Sequence, residues 1–270
     1  MIPRAIRAAQ DWLPPKLLNV LRGRFGNRFQ GNYPNWLAAE EACGGYDDES
    51  IVEQAARSAR AVADGTAVYE RDGVVFDQIE YSWPTLASLL FVATQSHNSL
   101  RVLDFGGALG TSYRQNVKFL SRLNQLSWAV VEQEGFVAIG KREFETNQLR
   151  FFSNVKTAAV ETHPNVILLS GVLQYLPEPG AFLDSILDED VDFLVLDRTP
   201  LIDGDVDRLT IQRVPRHIYT ASYPAWFFAR DRLIARIRTK YALVEEFPAA
   251  DRANIPARYA GFLWQRARSQ

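Results

Sequence analysis

The sequence predicts an α/β fold built on a doubly wound, mostly parallel sheet of seven strands. From residue 99 onward, short apolar runs alternate with segments long enough to form helices, which is typical of parallel strands joined by crossover helices. The first of these runs leads into a glycine-rich turn. The last two runs have no helix between them, so they predict an antiparallel hairpin at the end of the chain. The predicted strands cover residues 101–105, 128–132, 149–152, 166–170, 193–197, 241–247 and 260–265.

Residues 1–98 are predicted to form a helical extension, or cap, in front of a main domain at residues 99–270. Apolar residues recur at helical spacing within residues 48–63, and a second helix is predicted after Pro84. Residues 1–28 are basic and amphipathic. This pattern fits either an arm packed on the main domain or a weak contact with an anionic membrane surface.

The composition is that of an ordinary globular protein, with 270 residues, 47% hydrophobic residues and a formal net charge of -2. Such a charge does not favour nucleic acid as a partner. A single cysteine, Cys43, excludes an intrachain disulfide. The sequence has no apolar stretch long enough for a bilayer and no signal-peptide pattern at its start. A cytoplasmic location is expected, with any membrane contact limited to peripheral association at the inner membrane.

The most informative segment is the turn after the first predicted strand, Asp104-Phe105-Gly106-Gly107, with a further glycine at Gly110. Glycine permits positive φ angles and lets a ligand approach the backbone closely, and open parallel sheets bind ligands at this edge. The glycine spacing differs from the G-x-G-x-x-G pattern of dinucleotide sites. A carboxylate at Asp104 would also repel a diphosphate, whereas it suits the ammonium and sulfonium charges of S-adenosylmethionine, which has no phosphate.

Glu132 ends the second predicted strand, downstream of the turn. A carboxylate at this position can accept hydrogen bonds from both ribose hydroxyls of a nucleoside. The alternative interpretation is an exposed glutamate at the end of a strand. Taken with Asp104, Glu132 favours S-adenosylmethionine as the cofactor.

The turn resembles motif I of class I S-adenosylmethionine-dependent methyltransferases, although Ala108 stands where many members have glycine. The resemblance implies a Rossmann-like fold in which the last strand inserts beside the fifth. It also implies that Asn154 contacts the adenine, and that Ser170 and Gly171 lie beside the methionine part and the methyl group. More narrowly, the chain resembles a family of methyltransferases found among bacterial surface-polysaccharide genes, in residues 31–36, 45–47, 81–84, 103–107, 170–175, 196–200 and 222–226.

Catalytic candidates follow from the chemistry of methyl transfer, in which a hydroxyl acceptor needs a base to remove its proton. His217 follows the fifth predicted strand and can reach the carboxyl edge of the sheet. Asp197 and Arg198 end that strand and are alternatives, or they form an ion pair that holds the acceptor or the loop. Tyr175 lies beyond the fourth strand, facing the predicted reaction centre. Residues 201–223 are predicted to cover the site.

The sequence favours O-methylation of a small molecule, or of a sugar or glycan precursor. Two alternatives remain open: a protein that binds S-adenosylmethionine without transferring the methyl group, and an NAD(P)-dependent oxidoreductase. No metal is expected, because the acidic residues at 203–207 do not continue into the spacing of an EF-hand. Neither the acceptor nor the oligomeric state follows from the sequence.

Overall fold

The computed structural model describes residues 28–43, 48–214 and 221–267. The strands in these ranges are β1 Arg28–Tyr33, β2 Tyr69–Arg71, β3 Val74–Phe76, β4 Ser99–Phe105, β5 Gln125–Val131, β6 Leu149–Phe152, β7 Val166–Ser170, β8 Phe193–Ile202, β9 Arg208–Arg213, β10 Ser222–Ala229, β11 Tyr241–Pro248 and β12 Arg258–Arg266. The α-helices are α1 Trp36–Glu41, α2 Asp48–Ala63, α3 Trp83–Gln95, α4 Thr111–Leu120, α5 Glu134–Ile139, α6 Val155–Thr162, α7 Pro179–Asp188 and α8 Arg230–Ile237. Among the described residues, no helix combines the length and apolar character needed to cross a membrane.

Seven of the strands form the predicted sheet, in the order β6-β5-β4-β7-β8-β12-β11. The first five of these run parallel to one another. β12 pairs antiparallel with both β8 and β11, so the last strand of the chain inserts beside the fifth strand of the parallel set. The predicted Rossmann-like fold with its C-terminal antiparallel hairpin is therefore confirmed.

Three further strands, β1, β9 and β10, extend the sheet to ten strands within the described ranges. Leu201 of β8 pairs with Phe228 of β10 and also with Arg258 of β12. A strand has only two edges, and β12 occupies one edge of β8. β10 therefore pairs with the other edge, the one that β7 occupies earlier along β8, and lies beyond the carboxyl end of β7. β9 and then β1 pair antiparallel on the outside of β10.

The extra strands refine the sequence-based picture of two segments. Residues 201–223 contain the end of β8, all of β9 and the start of β10, so much of the predicted cover is sheet. The N-terminal extension is not wholly helical, because β1 joins the main sheet and β2 pairs with β3. Phe29 of β1 packs edge-on against Phe227, with ring centroids 4.9 Å apart. The division of the chain at residue 98 stays a prediction.

Helices cover both faces of the main sheet. One apolar core lies between the sheet and α6, α7 and α8, and the other between the sheet and α3, α4 and α5. Val102 belongs to the second core and Leu103 to the first. Side chains alternate along a strand, so Asp104, two residues after Val102, faces the side of α3 and α4.

α2 and the hairpin formed by β2 and β3 lie at the carboxyl edge of the sheet, near the glycine turn. Ala56 and Ala59 of α2 pack against Leu109, which belongs to that turn. The hairpin turns through Asp72 and Gly73, with φ angles of 52° and 73°. Positive φ at both central positions is what a type I′ turn requires. We call residues 69–76 the lid hairpin.

Candidate active site

The glycine turn joins the end of β4 to the start of α4. Gly106 and Gly110 have φ angles of 74° and 88°, in the left-handed region that glycine adopts without strain. A Cβ atom on Gly107 would lie 2.5 Å from Oδ2 of Asp104, so only glycine fits there without a shift. Ala108 adopts a positive φ of 49°, in the place where many class I methyltransferases have glycine.

Asp104 lies beneath this turn and does not line an open surface. Its side chain is buried, and the indole Nε1–H of Trp128 donates a hydrogen bond to its Oδ2 at 2.9 Å. Oδ1 has no hydrogen-bond partner among the described residues. Burial raises the pKa of Asp104 to about 7; the hydrogen bond from Trp128 acts to lower it, and the charge of Glu132 raises it further. A positive charge above the turn would stabilise the ionised form.

Glu132 follows β5 and lies beside the same turn. Its Oε1 accepts a hydrogen bond from the backbone N–H of Ala108 at 3.2 Å, and its Oε2 accepts one from Gln133 at 2.9 Å. Burial raises the pKa of Glu132, and these two backbone hydrogen bonds act to lower it. Each carboxylate oxygen keeps a further lone pair that can accept from a hydroxyl. The structure thus brings the two predicted acids to one turn, Glu132 beside it and Asp104 below it.

Phe105 and Asn154 have structural contacts of their own. Phe105 ends β4 and packs against Phe182 of α7, with ring centroids 4.4 Å apart. Asn154 precedes α6, and its Oδ1 caps that helix by accepting a hydrogen bond from the backbone N–H of Thr157 at 2.8 Å. Asn154 is exposed, so its side-chain amide nitrogen stays accessible for the predicted contact with adenine.

The side chain of Glu70, from the lid hairpin, contacts the first turn of α4. Its buried carboxylate accepts a hydrogen bond from the hydroxyl of Thr111 and lies 3.6 Å from Nη2 of Arg114. Burial raises the pKa of Glu70, while the hydrogen bond from Thr111 and the charge of Arg114 lower it. A carboxylate therefore lies at the helix terminus where a dinucleotide site would hold its diphosphate.

Asp197 of β8 belongs to a buried polar network at the end of β7. The hydroxyl of Ser170 donates a hydrogen bond to its Oδ2 at 3.2 Å, and the backbone N–H of Arg198 donates to its Oδ1 at 2.9 Å. Burial raises the pKa of Asp197, while the charge of Arg198 and a hydrogen bond from Thr85 lower it. Thr85, in the first turn of α3, is buried and shares a hydrogen bond of 2.7 Å with Ser82. The hydroxyl of Ser170, the last residue of β7, is thus hydrogen-bonded to the desolvated carboxylate of Asp197.

Arg198 occupies a β-bulge where β8 passes the end of β7. The ladder between β8 and β12 shifts register here, so Asp197 and Arg198 together oppose Gly261. The φ angle of Arg198 is 54°, a left-handed conformation that is uncommon for a residue with a side chain. The bulge directs the guanidinium toward Gly171, where an added Cβ would lie 3.3 Å from its Cζ. The β-bulge and the left-handed conformation of Arg198 therefore place its guanidinium against the end of β7.

Two carboxylates from distant segments hold Arg198. Its Nε and Nη2 donate to the two oxygens of Asp251 at 3.2 and 3.3 Å, and Nη2 also donates to Asp72 at 2.8 Å. Burial acts to lower the pKa of Arg198, but the charges of Asp251 and Asp72 raise it well above its ordinary value. Asp251 lies in the loop between β11 and β12, and Asp72 lies at the tip of the lid hairpin.

Tyr175 lies in the short helical turn Leu173–Tyr175 and belongs to a second polar network. Its hydroxyl donates a hydrogen bond to Oε1 of Gln212 at 2.8 Å, and Nε2 of Gln212 donates to the hydroxyl of Tyr223 at 3.0 Å. Burial raises the pKa of Tyr175, so its hydroxyl keeps its proton at ordinary pH. Tyr175 can therefore donate or accept a hydrogen bond but is not suited to act as a base.

A surface cavity of about 890 Å³ opens beside this edge, at the ends of β8 and β11. Three of its charged side chains pair with one another, since Glu246 accepts hydrogen bonds from both Arg230 and Arg258. The cavity is lined by none of the predicted cofactor-binding or catalytic residues, although Ile202, Asp203 and Gly204 belong to the segment that is predicted to cover the site. Its position therefore does not define where the chemistry takes place.

The predicted base His217 lies outside the described residues, and its role stays a prediction. Four other residues at this edge were not expected from the sequence: Glu70, Asp72, Thr85 and Asp251. The Asp72-Gly73 pair between two short strand-like runs is a hairpin signal that could have revealed the lid. Within the described ranges, no group of three or more His, Cys, Asp or Glu side chains is placed to hold a metal ion.

No family model matches the chain, and no curated protein matches it. Among solved structures, it is similar to the N-terminal domain of EvdMO1, crystallised in the presence of S-adenosylhomocysteine and D-fucose, with 17% identity over 83% of this chain and 98% of that chain and a TM-score of 0.46. It is also similar to the magnesium protoporphyrin IX methyltransferase of Synechocystis PCC 6803 with bound S-adenosylmethionine, with 12% identity over 83% and 99% of the two chains and a TM-score of 0.45.

A third similar structure is the 1,6-didemethyltoxoflavin-N1-methyltransferase of Burkholderia thailandensis, with 16% identity over 84% of this chain and 95% of that chain and a TM-score of 0.43. Likenesses at these identities and TM-scores carry no argument about the chemistry of this chain. The fold is evident from the strand order of this chain itself.

Proposed function

We propose that this protein is an S-adenosylmethionine-dependent methyltransferase whose cofactor lies across the carboxyl ends of β5, β4 and β7. The observation that supports it most is the set of carboxylates around the glycine turn. Glu132 lies beside the turn, Asp104 beneath it and Glu70 at the start of the following helix. Acidic surroundings of this kind favour a ligand that carries positive charge and no phosphate.

The residues at the turn fit such a cofactor part by part. The carboxylate of Glu132 is oriented by two backbone N–H groups, and its remaining lone pairs would accept the two ribose hydroxyls. Oδ1 of Asp104 lacks a partner in the described ranges, so the ionised side chain is available to balance a cation above the turn. Gly106 and Gly107 let a ligand approach the backbone. At the end of β7, Ser170 would lie beside the reacting group.

The cofactor would supply a methyl group bonded to a positively charged sulfur, and the chain would supply position and proton transfer. We assign the proton transfer to Ser170 and Asp197. The Ser170 hydroxyl donates to Asp197, so its oxygen lone pairs remain free to accept the proton of an acceptor hydroxyl. As the acceptor oxygen gains the methyl group, its proton would pass to Ser170 while the proton of Ser170 passes to Asp197. Arg198 would orient the acceptor by donating a hydrogen bond, and Tyr175, whose own proton is donated to Gln212, would orient it by accepting one.

The acceptor in this proposal is a small molecule, or a sugar or glycan precursor, that is methylated on oxygen. The lid hairpin covers one side of the carboxyl edge, and β9 and β10 extend beyond the end of β7 on the other. An edge enclosed in this way suits an acceptor of small size. The resemblance of seven segments to methyltransferases of surface-polysaccharide genes is what favours a sugar.

An NAD(P)-dependent oxidoreductase is the weaker alternative because of Glu70. Its buried carboxylate is hydrogen-bonded to Thr111 in the first turn of α4, where a diphosphate would need unpaired backbone N–H groups and a positive potential. Titration calorimetry with S-adenosylhomocysteine and with NAD separates the two candidates. Binding of S-adenosylhomocysteine alone is expected, and tight binding of NAD without S-adenosylhomocysteine would overturn the proposal.

A protein that binds the cofactor without transferring its methyl group is the second alternative. Incubation with methyl-labelled S-adenosylmethionine and cell extract tests it directly. The proposal expects a labelled acceptor that is absent when Asp197→Asn protein is used. A protein that binds S-adenosylhomocysteine but labels nothing under any condition would be a binding protein.

Weak binding of residues 1–28 to anionic membranes forms a separate proposal, supported by their basic, amphipathic sequence. Sedimentation with vesicles containing anionic lipid tests it on the full chain and on a chain lacking those residues. More full-length than shortened protein should sediment with the vesicles. Equal partitioning of the two would end this idea.

A further inference from the structure

The lid hairpin crosses the end of one strand of the main sheet. Glu70, near its base, contacts the start of α4, which follows β4, and Asp72 at its tip contacts Arg198 of β8. β7 lies between β4 and β8 in the sheet. The hairpin therefore passes over the end of β7, where Ser170 and Gly171 lie.

The two contacts of the hairpin differ in their exposure to solvent. The side chain of Glu70 is 5% exposed, whereas that of Asp72 is 62% exposed. Ion pairs that face solvent contribute little to stability and are weakened by salt, whereas buried hydrogen-bonded groups are costly to separate. The contact at the tip is therefore the one that breaks more easily.

The tip is also attached to α2. The carbonyl oxygen of Gly73 accepts hydrogen bonds from Nε2 of Gln54 and from the hydroxyl of Ser58, both at 2.8 Å. The hairpin and α2 thus form one unit, and the hydrogen bond from Arg198 to Asp72 ties this unit to β8. Arg198 also has a bidentate contact with Asp251, which would hold the guanidinium in place without Asp72.

We propose that the Asp72–Arg198 ion pair is a latch that closes the lid hairpin over the methyl-transfer end of the cofactor site. The cofactor would enter and leave only when this pair is broken. Asp72 is then a positioning residue, because it acts through Arg198 and not on the cofactor itself. This inference rests on the proposed function, since it assumes that S-adenosylmethionine binds at the glycine turn.

The test compares the dissociation rate of S-adenosylhomocysteine from the wild-type protein and from Asp72→Asn, measured by stopped-flow displacement. Asparagine before glycine is favoured in type I′ turns, so this substitution removes the charge and keeps the turn. Dissociation should become about two- to fivefold faster, as expected for the loss of one partly exposed ion pair. Asp72→Glu keeps the charge and should restore a rate near that of the wild type.

Asp184→Asn is the matched control. Asp184 pairs with Arg236 at 2.6 Å, and the two side chains are 58% and 35% exposed, similar to the latch with 62% and 23%. This pair lies between α7 and α8, away from the lid hairpin. Its loss should leave the dissociation rate unchanged. Added salt should accelerate dissociation from the wild type and from this control more than from Asp72→Asn.

The outcomes separate the latch from the proposed function. If S-adenosylhomocysteine binds and Asp72→Asn releases it at the wild-type rate, the latch is wrong and the proposed cofactor site stands. If the wild type does not bind S-adenosylhomocysteine at all, both are wrong. Hydrogen exchange gives a second readout without ligand: amides of residues 69–76 should exchange faster in Asp72→Asn, and equal exchange would contradict the latch.

Discussion

Replacing Asp104 with asparagine should remove a pH dependence of stability that is built into the glycine turn. Asp104 is buried, and one of its oxygens has no hydrogen-bond partner in the described ranges. Burial raises its pKa from 3.8 to about 7. An acid with a higher pKa in the folded than in the unfolded protein binds its proton more tightly when folded. Its contribution to stability is complete below the unfolded pKa and is lost as the pH rises to the folded value.

The size of the effect follows from the two pKa values. A rise from 3.8 to about 7 corresponds to about 4 kcal/mol, at about 1.4 kcal/mol per pKa unit. Between about pH 4 and pH 7, titration of Asp104 should therefore lower the free energy of unfolding of the wild type by about 4 kcal/mol. The Asp104→Asn protein should not show this decrease. Asparagine can keep the acceptor for Trp128, so the hydrogen bond itself is preserved.

Urea unfolding of both proteins at several pH values from about 4 to 8 measures this difference. Other carboxyl groups titrate in both proteins, so their contributions cancel in the comparison. Asp104→Asn should gain stability relative to the wild type as the pH rises, and the gain should level off above about pH 7. Parallel curves over the whole range would mean that Asp104 has an ordinary pKa and would exclude this pH dependence.

Three further predictions concern single residues. Glu132→Gln loses one of the charged acceptors held by Ala108 and Gln133, so S-adenosylhomocysteine should bind about 10- to 100-fold more weakly by calorimetry; unchanged affinity would exclude Glu132 from the site. Asp197→Asn should lower methyl transfer to a hydroxyl acceptor by about 100-fold or more with little change in S-adenosylhomocysteine affinity. In the wild type, the rate of methyl transfer should fall as the pH drops through the raised pKa of Asp197. A rate that changes neither with this substitution nor with pH would show that Asp197 takes no part in proton transfer. Trp128→Phe removes the donor that lowers the pKa of Asp104, so the Asp104 carboxyl resonance should titrate at a higher pH by NMR than in the wild type, and an equal or lower midpoint would contradict this.

The main sheet could be predicted because its strands are short, continuous apolar runs. Leu194, Val195 and Leu196 are buried on alternating faces of β8, which gives an uninterrupted signal in the sequence. β9 gives no such signal, although Leu209 and Ile211 are buried. Its other face carries buried polar side chains, such as Thr210, whose hydroxyl donates to a backbone carbonyl across the ladder. Polar residues satisfied inside the protein look like surface residues in the sequence.

The residues proposed to hold the cofactor could be brought together from the sequence because they lie in one strand-turn-helix unit and the adjacent strand. Asp104 lies one residue before the end of β4, and Glu132 directly follows β5, the parallel neighbour of β4, so local pattern is enough to bring them together. The depth of Asp104 was not foreseen, because it depends on the indole of Trp128 reaching it from β5. The lid contacts were not foreseen either. Asp72 and Arg198 are 126 positions apart, and their meeting depends on tertiary packing that no motif records.

A crystal structure of the protein with S-adenosylhomocysteine would show the proposed cofactor site itself. The nucleoside should lie over the glycine turn, with both ribose hydroxyls on Glu132 and the sulfur near Ser170 at the end of β7. The lid hairpin should cover the methionine part. A ligand bound elsewhere, or a ribose turned away from Glu132, would show that the proposed site is wrong.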